Sequence, residues 1–493
     1  MVRYVLSLDE GTTSARAVLY DRQGRRVAME SAAIECFYPQ QGWVEQDAMQ
    51  IWGAQLDAAR RAIAAGGVSA ADIDAIGITN QRETTVVWDR HNGEPVSPAI
   101  VWQCRRTASR CAELAASPRA AWVTAQTGLV VDAYFSGSKI EWILEHVPGA
   151  RARAAAGDLL FGNVDTWLIW KLTNGAAHVT DPTNASRTML MNLATGEWDA
   201  ELLDLFGIPA SMLPRIVPSS GVVAEAAPSW FGAAIPIAGI AGDQQAALVG
   251  QACFRAGLSK NTYGTGCFAL LHAGGALPVS KHKLLATRAA GTSKEPQYAV
   301  EGSVFVAGAA VQWLRDQLGL LKTAAESEAL AASTPDSGGV YVVPAFVGLG
   351  APHWNQDARG LIVGLTRGTS AAHIVRATLE AIAYQTRELV EAMEADSGQR
   401  LAELRVDGGA TANNFLMQFQ ADILGRPIVR PADIETTALG AAYLAGLATG
   451  YWSSVGEVES FWRVERTFEP QWDAARREDA FAGWKKAVAR CMA

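Results

Sequence analysis

The stretch Leu8-Asp9-Glu10-Gly11-Thr12-Thr13-Ser14-Ala15-Arg16 decides how this chain is read. An apolar strand, Val5 to Leu8, runs into an acidic Gly-Thr-Thr-Ser turn, and a second apolar strand, Ala17 to Tyr20, runs out of it. Such a hairpin tip presents backbone N–H groups and small hydroxyls to an anion, with one carboxylate placed to hold a counter-cation. An ordinary polar turn would have the same composition. The motif recurs, however: Tyr263-Gly264-Thr265-Gly266 stands between Lys260-Asn261 and the apolar run Cys267 to Leu271. Asp407-Gly408-Gly409-Ala410 adds a third small-residue turn after the strand Leu404 to Val406. Three such turns at strand ends, spread along the chain, imply a nucleotide gripped between two related halves.

Around these turns, strands and helices alternate in an α/β manner. Trp52, Leu56, Ala59 and Ile63 mark one face of a helix from Asp47 to Gly66-Gly67. A strand over Ala75 to Ile78 leads to the polar segment Thr79-Asn80-Gln81-Arg82-Glu83, which by itself reads as a charged hairpin tip in solvent, and then to a strand over Thr84 to Trp88. The strand Ile235 to Ala241 ends at Gly242-Asp243-Gln244-Gln245, where Asp243 has the sequence context of a helix N-cap. Val375, Leu379, Ile382, Leu389 and Met393 form a helical core stripe between Ser370 and Ser397-Gly398.

Composition sets the outer limits. With 493 residues the chain makes two or more domains, and 49% hydrophobic with 19% charged residues is an ordinary globular balance. A net charge of −8 argues against nucleic acid or an anionic membrane surface as a partner. The apolar run Ala438 to Trp452 is too short and too rich in glycine to span a bilayer. Six cysteines without metal-ligand or disulfide spacing read as reduced thiols, and a chain that enters a strand at Tyr4 shows no signal peptide, so a cytoplasmic location is expected. No Gly-Lys pair occurs, so a Walker A loop is absent. Gly264-Thr265-Gly266-Cys267-Phe268-Ala269 fits the loose dinucleotide pattern, but no acid follows between Asp243 and Glu295 to hold a ribose, which disfavours a dehydrogenase.

The runs Asp9 to Ser14, Gly77 to Thr85, Val101 to Arg106, Tyr134 to Lys139, Gly242 to Ala247 and Asn261 to Phe268 resemble the FGGY carbohydrate kinases, within the actin, hexokinase and Hsp70-like superfamily. Asn80-Gln81-Arg82-Glu83 and Trp102-Gln103-Cys104-Arg105 resemble the glycerol-phosphorylating branch. The likeness extends through Gly364 to Gly368 and Val406 to Gly409 to Ala482 to Lys486. It implies two ribonuclease-H-like α/β domains of the actin-like ATPase type, each a mixed five-stranded sheet flanked by helices, with the ligand cleft between them. Residues 1–248 would bind glycerol and phosphate, and residues 249–493 the adenine nucleotide.

The implied reaction is ATP-dependent phosphorylation of glycerol with Mg2+. By resemblance Asp243 is the general base and, with Asp9, a metal residue. Thr12, Thr13, Ser14 and Arg16 line the β- and γ-phosphates, and Thr265 and Gly266 clamp them from the opposite domain. Gly308, Gln312, Gly409 and Asn413 match the remaining phosphate, ribose and adenine contacts. Arg82, Glu83, Tyr134, Asp243 and Gln244 form a polar ring for the polyol, with Trp102 and Phe268 as its apolar wall. A homodimer or homotetramer is the expected assembly. Two alternatives stay open: a kinase for another short polyol or ketose, and an actin- or Hsp70-like conformational ATPase. The segment Ala227 to Pro236 departs from relatives that carry an Arg-containing loop for fructose 1,6-bisphosphate, or a phosphorylatable His. No cation stands between Arg215 and Arg255, so neither control is expected.

Overall fold

In the computed structural model, which describes residues 3–355 and 357–493, the first hairpin is formed by β1 (Tyr4–Glu10) and β2 (Ser14–Tyr20). It joins β3 (Arg26–Ala33), β4 (Ile73–Asn80), β5 (Ser220–Ala226) and β6 (Ile235–Gly242) in one sheet of order β5-β6-β4-β1-β2-β3. A second sheet repeats the plan with β7 (Ser259–Tyr263), β8 (Cys267–Gly274), β9 (Leu285–Arg288), β10 (Tyr298–Val304), β11 (Leu404–Asp407), β12 (Ile428–Pro431) and β13 (Val464–Phe468). Its order is β9-β10-β8-β7-β11-β12-β13.

The two sheets share one core topology. β3-β2-β1 and β10-β8-β7 are antiparallel meanders, and in each sheet two further strands add in parallel to the first strand, β4 and β6 in one, β11 and β12 in the other. The sheets therefore hold six and seven strands where five were expected, because β5, β9 and β13 each add antiparallel at an edge. β13 is a short, charged strand exposed over most of its length, the usual way an edge is kept from pairing with another chain, and it carries little apolar pattern to announce it.

The helices used below are α1 (Ala48–Ala65), α2 (Asp243–Gly250), α3 (Gly308–Asp316), α4 (Ala371–Ser397), α5 (Asn414–Leu424) and α6 (Thr436–Thr449). α1 starts where Asp47 accepts the Met49 and Gln50 N–H groups and ends at Gly66. α4 runs from Ser370 to Gly398 and buries the whole Val375 to Met393 stripe.

α2 and α6 cross the midline of the molecule. α6, from the second half, lies on the first sheet, where its Ala442, Leu444 and Ala445 pack with Val5, Val18, Ala75 and Ala238. α2, from the first half, reaches the second sheet through Leu248 against Leu270 and Ala299. The two helices meet backbone to backbone, which only glycine allows: a Cβ on Gly440 would stand 1.8 Å from the Ala246 oxygen, and one on Gly250 1.9 Å from the Thr436 oxygen. The expected boundary at 248/249 falls in the last turn of α2. Between β4 and β5, residues 81–219 form a further layer around Phe135, Ile140, Ile143, Phe161 and Phe206, and this layer carries much of the site.

Candidate active site

The turn between β1 and β2 is closed by the Gly11 N–H donating to the Ser14 oxygen at 3.0 Å. Two side chains lock Thr12 from outside it: Trp102 Nε1 donates to its Oγ1 at 2.9 Å and Gln46 Nε2 to its carbonyl at 2.6 Å. Thr13 is exposed, and Ser14 and Arg16 are half-buried. Opposite, Gly264 N–H donates to the Gly266 oxygen at 2.9 Å, and the Ala307 and Ala309 N–H groups donate to the Thr265 oxygen at 2.8 and 3.1 Å. The start of α3 is thereby fastened to this turn, with Gly308 so close that a Cβ would stand 2.5 Å from the Gly264 oxygen. The Thr265 residue stays exposed. Both turns offer N–H groups and hydroxyls at strand ends, the geometry suited to phosphate oxygens.

Asp243 is the first residue of α2, with Gly242 as the N-cap and no side-chain capping bond. This corrects the expected capping role: its Oδ1 accepts only the adjacent Gln244 N–H, at 2.7 Å, and lies 3.0 Å from Arg82 Nε. The Arg82 Nε–H is not aligned on that oxygen, so the contact is one of charge. Asp243 keeps 32% of its side chain exposed, which leaves the carboxylate an open side. Its backbone is held from below. The Gly242 N–H donates to Thr183 Oγ1 at 2.8 Å, Thr183 in turn donates to Asp181, and Ser219 donates to Asp181 at 2.6 Å. On the neighbouring strand Asn80 and Asn184 exchange amide bonds at 3.0 and 3.1 Å.

The polar segment after β4 is no solvent-exposed tip. Arg82 is 2% exposed and Glu83 is buried at φ 59°, a left-handed conformation held by its surroundings. Both guanidinium Nη atoms of Arg82 reach Glu301, at 2.5 and 2.9 Å, and Arg187 Nε donates to the Glu83 carboxylate. The Trp102 ring stands 5.6 Å from that of Tyr134 and 6.4 Å from that of Phe268, both in edge-on contacts. Lys260, fully buried on β7, donates to Gln244 Oε1, to Thr262 Oγ1 at 2.7 Å and to the Phe268 oxygen at 3.2 Å. Gln244 is thus fixed with its amide nitrogen free of that bond.

Electrostatics separate the carboxylates. Burial lifts Asp9 to about 6; Arg16, 3.7 Å away, offsets part of this, while Glu435 and Asp243 push the same way as burial. Burial would also raise Glu301, but Arg187 and Arg82 together hold it down at about 2. Glu83 stays above the usual carboxylate range because burial outweighs Arg187 and Arg82. Burial brings Lys260 down to about 8.

Of the expected residues, the structure joins Thr12 to Trp102, Trp102 to Tyr134 and Phe268, Arg82 to Asp243, and Arg16 to Asp9. Gln312 and Gly409 are exposed on α3 and on the turn after β11. Asn413 caps α5 through the Leu416 N–H and donates to Ser327 at 3.2 Å, which uses half of its side-chain hydrogen-bonding capacity. Arg187, Glu301, Lys260 and Thr183 were not foreseen. Arg187, Glu301 and Thr183 have no motif around them and acquire their places from segments far along the chain, whereas Lys260 directly precedes the run Asn261 to Phe268, where the Gly-Thr turn drew the reading.

The models of the FGGY family of carbohydrate kinases match here, the N-terminal domain over residues 4–250 and the C-terminal domain over residues 259–449. The chain is 61% identical over 487 residues to a glycerol kinase of Symbiobacterium thermophilum, covering 99% of this chain and 98% of the relative. It is 57% identical to glycerol kinase 2 of Thermotoga maritima, covering 100% and 99%. Among solved structures, the glycerol kinase of Plasmodium falciparum with ADP superposes with a TM-score of 0.92 at 36% identity, covering 100% of this chain and 99% of that one. A gluconate kinase of Lactobacillus acidophilus shares the fold at TM-score 0.90 and 22% identity. With its duplicated sheets, a Gly-Thr turn on each of them and full-length identity at this level, the chain belongs to the FGGY family of carbohydrate kinases.

Proposed function

We propose that this chain transfers the γ-phosphoryl group of ATP to glycerol, giving sn-glycerol 3-phosphate. The observation that carries the reading is Asp243: an unspent carboxylate with one open side, at the start of a helix and beside the buried Arg82. Phosphoryl transfer asks the protein for positioning, charge stabilisation and a group that takes the proton of the attacking hydroxyl. Asp243 takes that proton. Arg82, Glu83, Tyr134 and Gln244 fix the polyol hydroxyls, and Trp102 and Phe268 cover its carbon edge. The N–H groups and hydroxyls of the Thr12–Ser14 and Thr265–Gly266 turns, with Arg16, receive the β- and γ-phosphate oxygens. Gly308, Gln312, Gly409 and Asn413 serve the rest of the nucleotide.

Mg2+ fits the donors present. Asp9 is a buried carboxylate lifted to about 6, with Asp243 and Glu435 adding to the negative field. Among the described residues no cluster of three or more acidic, His or Cys side chains forms a complete cage. Magnesium suits such a site, since it takes one or two carboxylates and leaves its other positions to phosphates and water. When bound, it neutralises charge on the transferring phosphates.

Identities of 56–61% to glycerol kinases over essentially the full length support glycerol over another polyol or ketose. A conformational ATPase has no use for the enclosed Arg82, Glu83 and Tyr134 beside Asp243. Among the described residues no helix is long and apolar enough to cross a membrane, and all six cysteines are unpaired, which supports a cytoplasmic location. A homodimer or homotetramer remains the proposed assembly.

The test is incubation with ATP, Mg2+ and a panel of polyols and sugars, reading ADP release and the phosphorylated product. ADP release should require an acceptor, with glycerol preferred, and Asp243→Asn should lower kcat by about 10²- to 10⁴-fold with little change in Tm. Preference for another acceptor would overturn the substrate assignment, and retained turnover by Asp243→Asn would overturn the base.

A further inference from the structure

The acceptor pocket rests on a group of four buried charges that spans the two halves. Arg82 and Glu83 come from the end of β4, Arg187 from the layer inserted in the first half, and Glu301 from β10 in the second sheet. All four are 2% exposed or less. Glu301 accepts both Nη groups of Arg82 and lies 3.3 Å from Arg187 Nη2, while Arg187 holds Glu83 through its Nε. Positive and negative groups thus alternate. The fork of Arg82 is planar, so two bonds to one carboxylate fix its orientation as well as its place. With its Nη atoms so held, its Nε faces Asp243. The buried Nη atoms of Arg187 have no aligned acceptor, and its guanidinium lies over the Tyr134 ring at 5.1 Å.

We propose that Glu301 is a positioning residue of the acceptor pocket: from the second sheet it sets the orientation of Arg82 toward the acceptor and, through Arg187, that of Glu83. It acts through the two arginines and need not touch the acceptor itself. The proposal rests on the reading of Arg82 and Glu83 as acceptor ligands. A purely structural ion pair would instead affect folding, or both substrates equally.

The experiment is a double-mutant cycle of Glu301→Gln and Arg82→Gln, read as KM for the acceptor, KM for ATP and kcat, using whichever panel acceptor the unmodified enzyme phosphorylates best. Glu301→Gln keeps the shape of the side chain and removes its charge. It should raise the acceptor KM by about tenfold or more, with the ATP KM moving less than about twofold. In the Arg82→Gln background the same change should alter kcat/KM by less than about threefold, because only the weaker route is left, through Arg187, which Glu301 touches without an aligned hydrogen bond. Equal effects in both backgrounds, or equal rises in the two KM values, would overturn the proposal. Should Glu301→Gln fail to fold, Glu301→Asp retains the charge but is one methylene too short to span the fork. A selective rise in acceptor KM then supports the proposal, and an unselective one overturns it. If the unmodified enzyme prefers an acceptor other than glycerol, the substrate assignment falls while the cycle is still scored. If it phosphorylates no acceptor, both fall.

Discussion

Asp9 is held against its own charge. Its carboxyl titrates near 6 in the fold, against 3.8 as a free side chain, because burial outweighs the help of Arg16. A folded-state pKa above the unfolded one favours folding with the proton on, so this contribution is complete below about pH 4 and is lost as pH rises through 6. Asp9→Asn should therefore stabilise the ligand-free protein by up to about 3 kcal/mol at pH 7.5, with the gain vanishing near pH 4. Urea midpoints at the two pH values check this, and an equal gain at both would mean that the effect does not come from the charge of Asp9. Asp9 and the two Gly-Thr turns were legible because a short, local pattern makes them. From their own residues Arg82 and Glu83 read only as a polar segment after a strand, their place in the polyol ring came from the family resemblance, and what buries them comes from residues 187 and 301, over a hundred positions away. Local sequence could not weigh that. The same limit applies to the segment from Ala227 to Pro236: it contains no cation, yet Arg60 arrives from α1 and donates to the Trp230 oxygen at 3.0 Å.

Among the elements, helices with clear caps were read nearly to the residue, α1 from Asp47 to Gly66 and α4 from Ser370 to Gly398. The edge strands β5, β9 and β13 were not, since their pairing is decided by the sheet that receives them. Glycines give the elements opposite sensitivities. Gly53, inside α1, has nothing within 4 Å of a built Cβ, whereas Gly440 on α6 would place one 1.8 Å from the Ala246 oxygen. Gly53→Ala should accordingly stabilise by roughly 0.5–1 kcal/mol through helix propensity. Gly440→Ala should destabilise by an amount at or above the upper end of the roughly 1–3 kcal/mol typical of overpacking, because backbone must move. Calorimetric Tm values of the two variants decide it, and an unchanged or raised Tm for Gly440→Ala would refute the close approach of α2 and α6.

At the scale of the whole molecule, Thr12 and Thr265 stand on opposite sheets, so one triphosphate must be shared between the halves. The α2–α6 crossing and the Arg82–Glu301 contact already fasten those halves together, so closure has to be a modest rotation about these points. Small-angle scattering should show a slightly smaller radius of gyration with glycerol and a non-hydrolysable ATP analogue than without them. An unchanged radius would mean a preformed cleft. The exchanged helices also bear on how the chain is born. The face of the first sheet made by Val5, Val18, Ala75 and Ala238 is complete once β6 leaves the ribosome, but its cover, α6, begins only at Thr436. At synthesis rates of roughly 5–20 residues per second, that apolar face waits on the order of ten seconds or longer for its lid. Neither half can finish alone, so a nascent chain cut short before α6 exposes a sticky surface and becomes a natural client for chaperones.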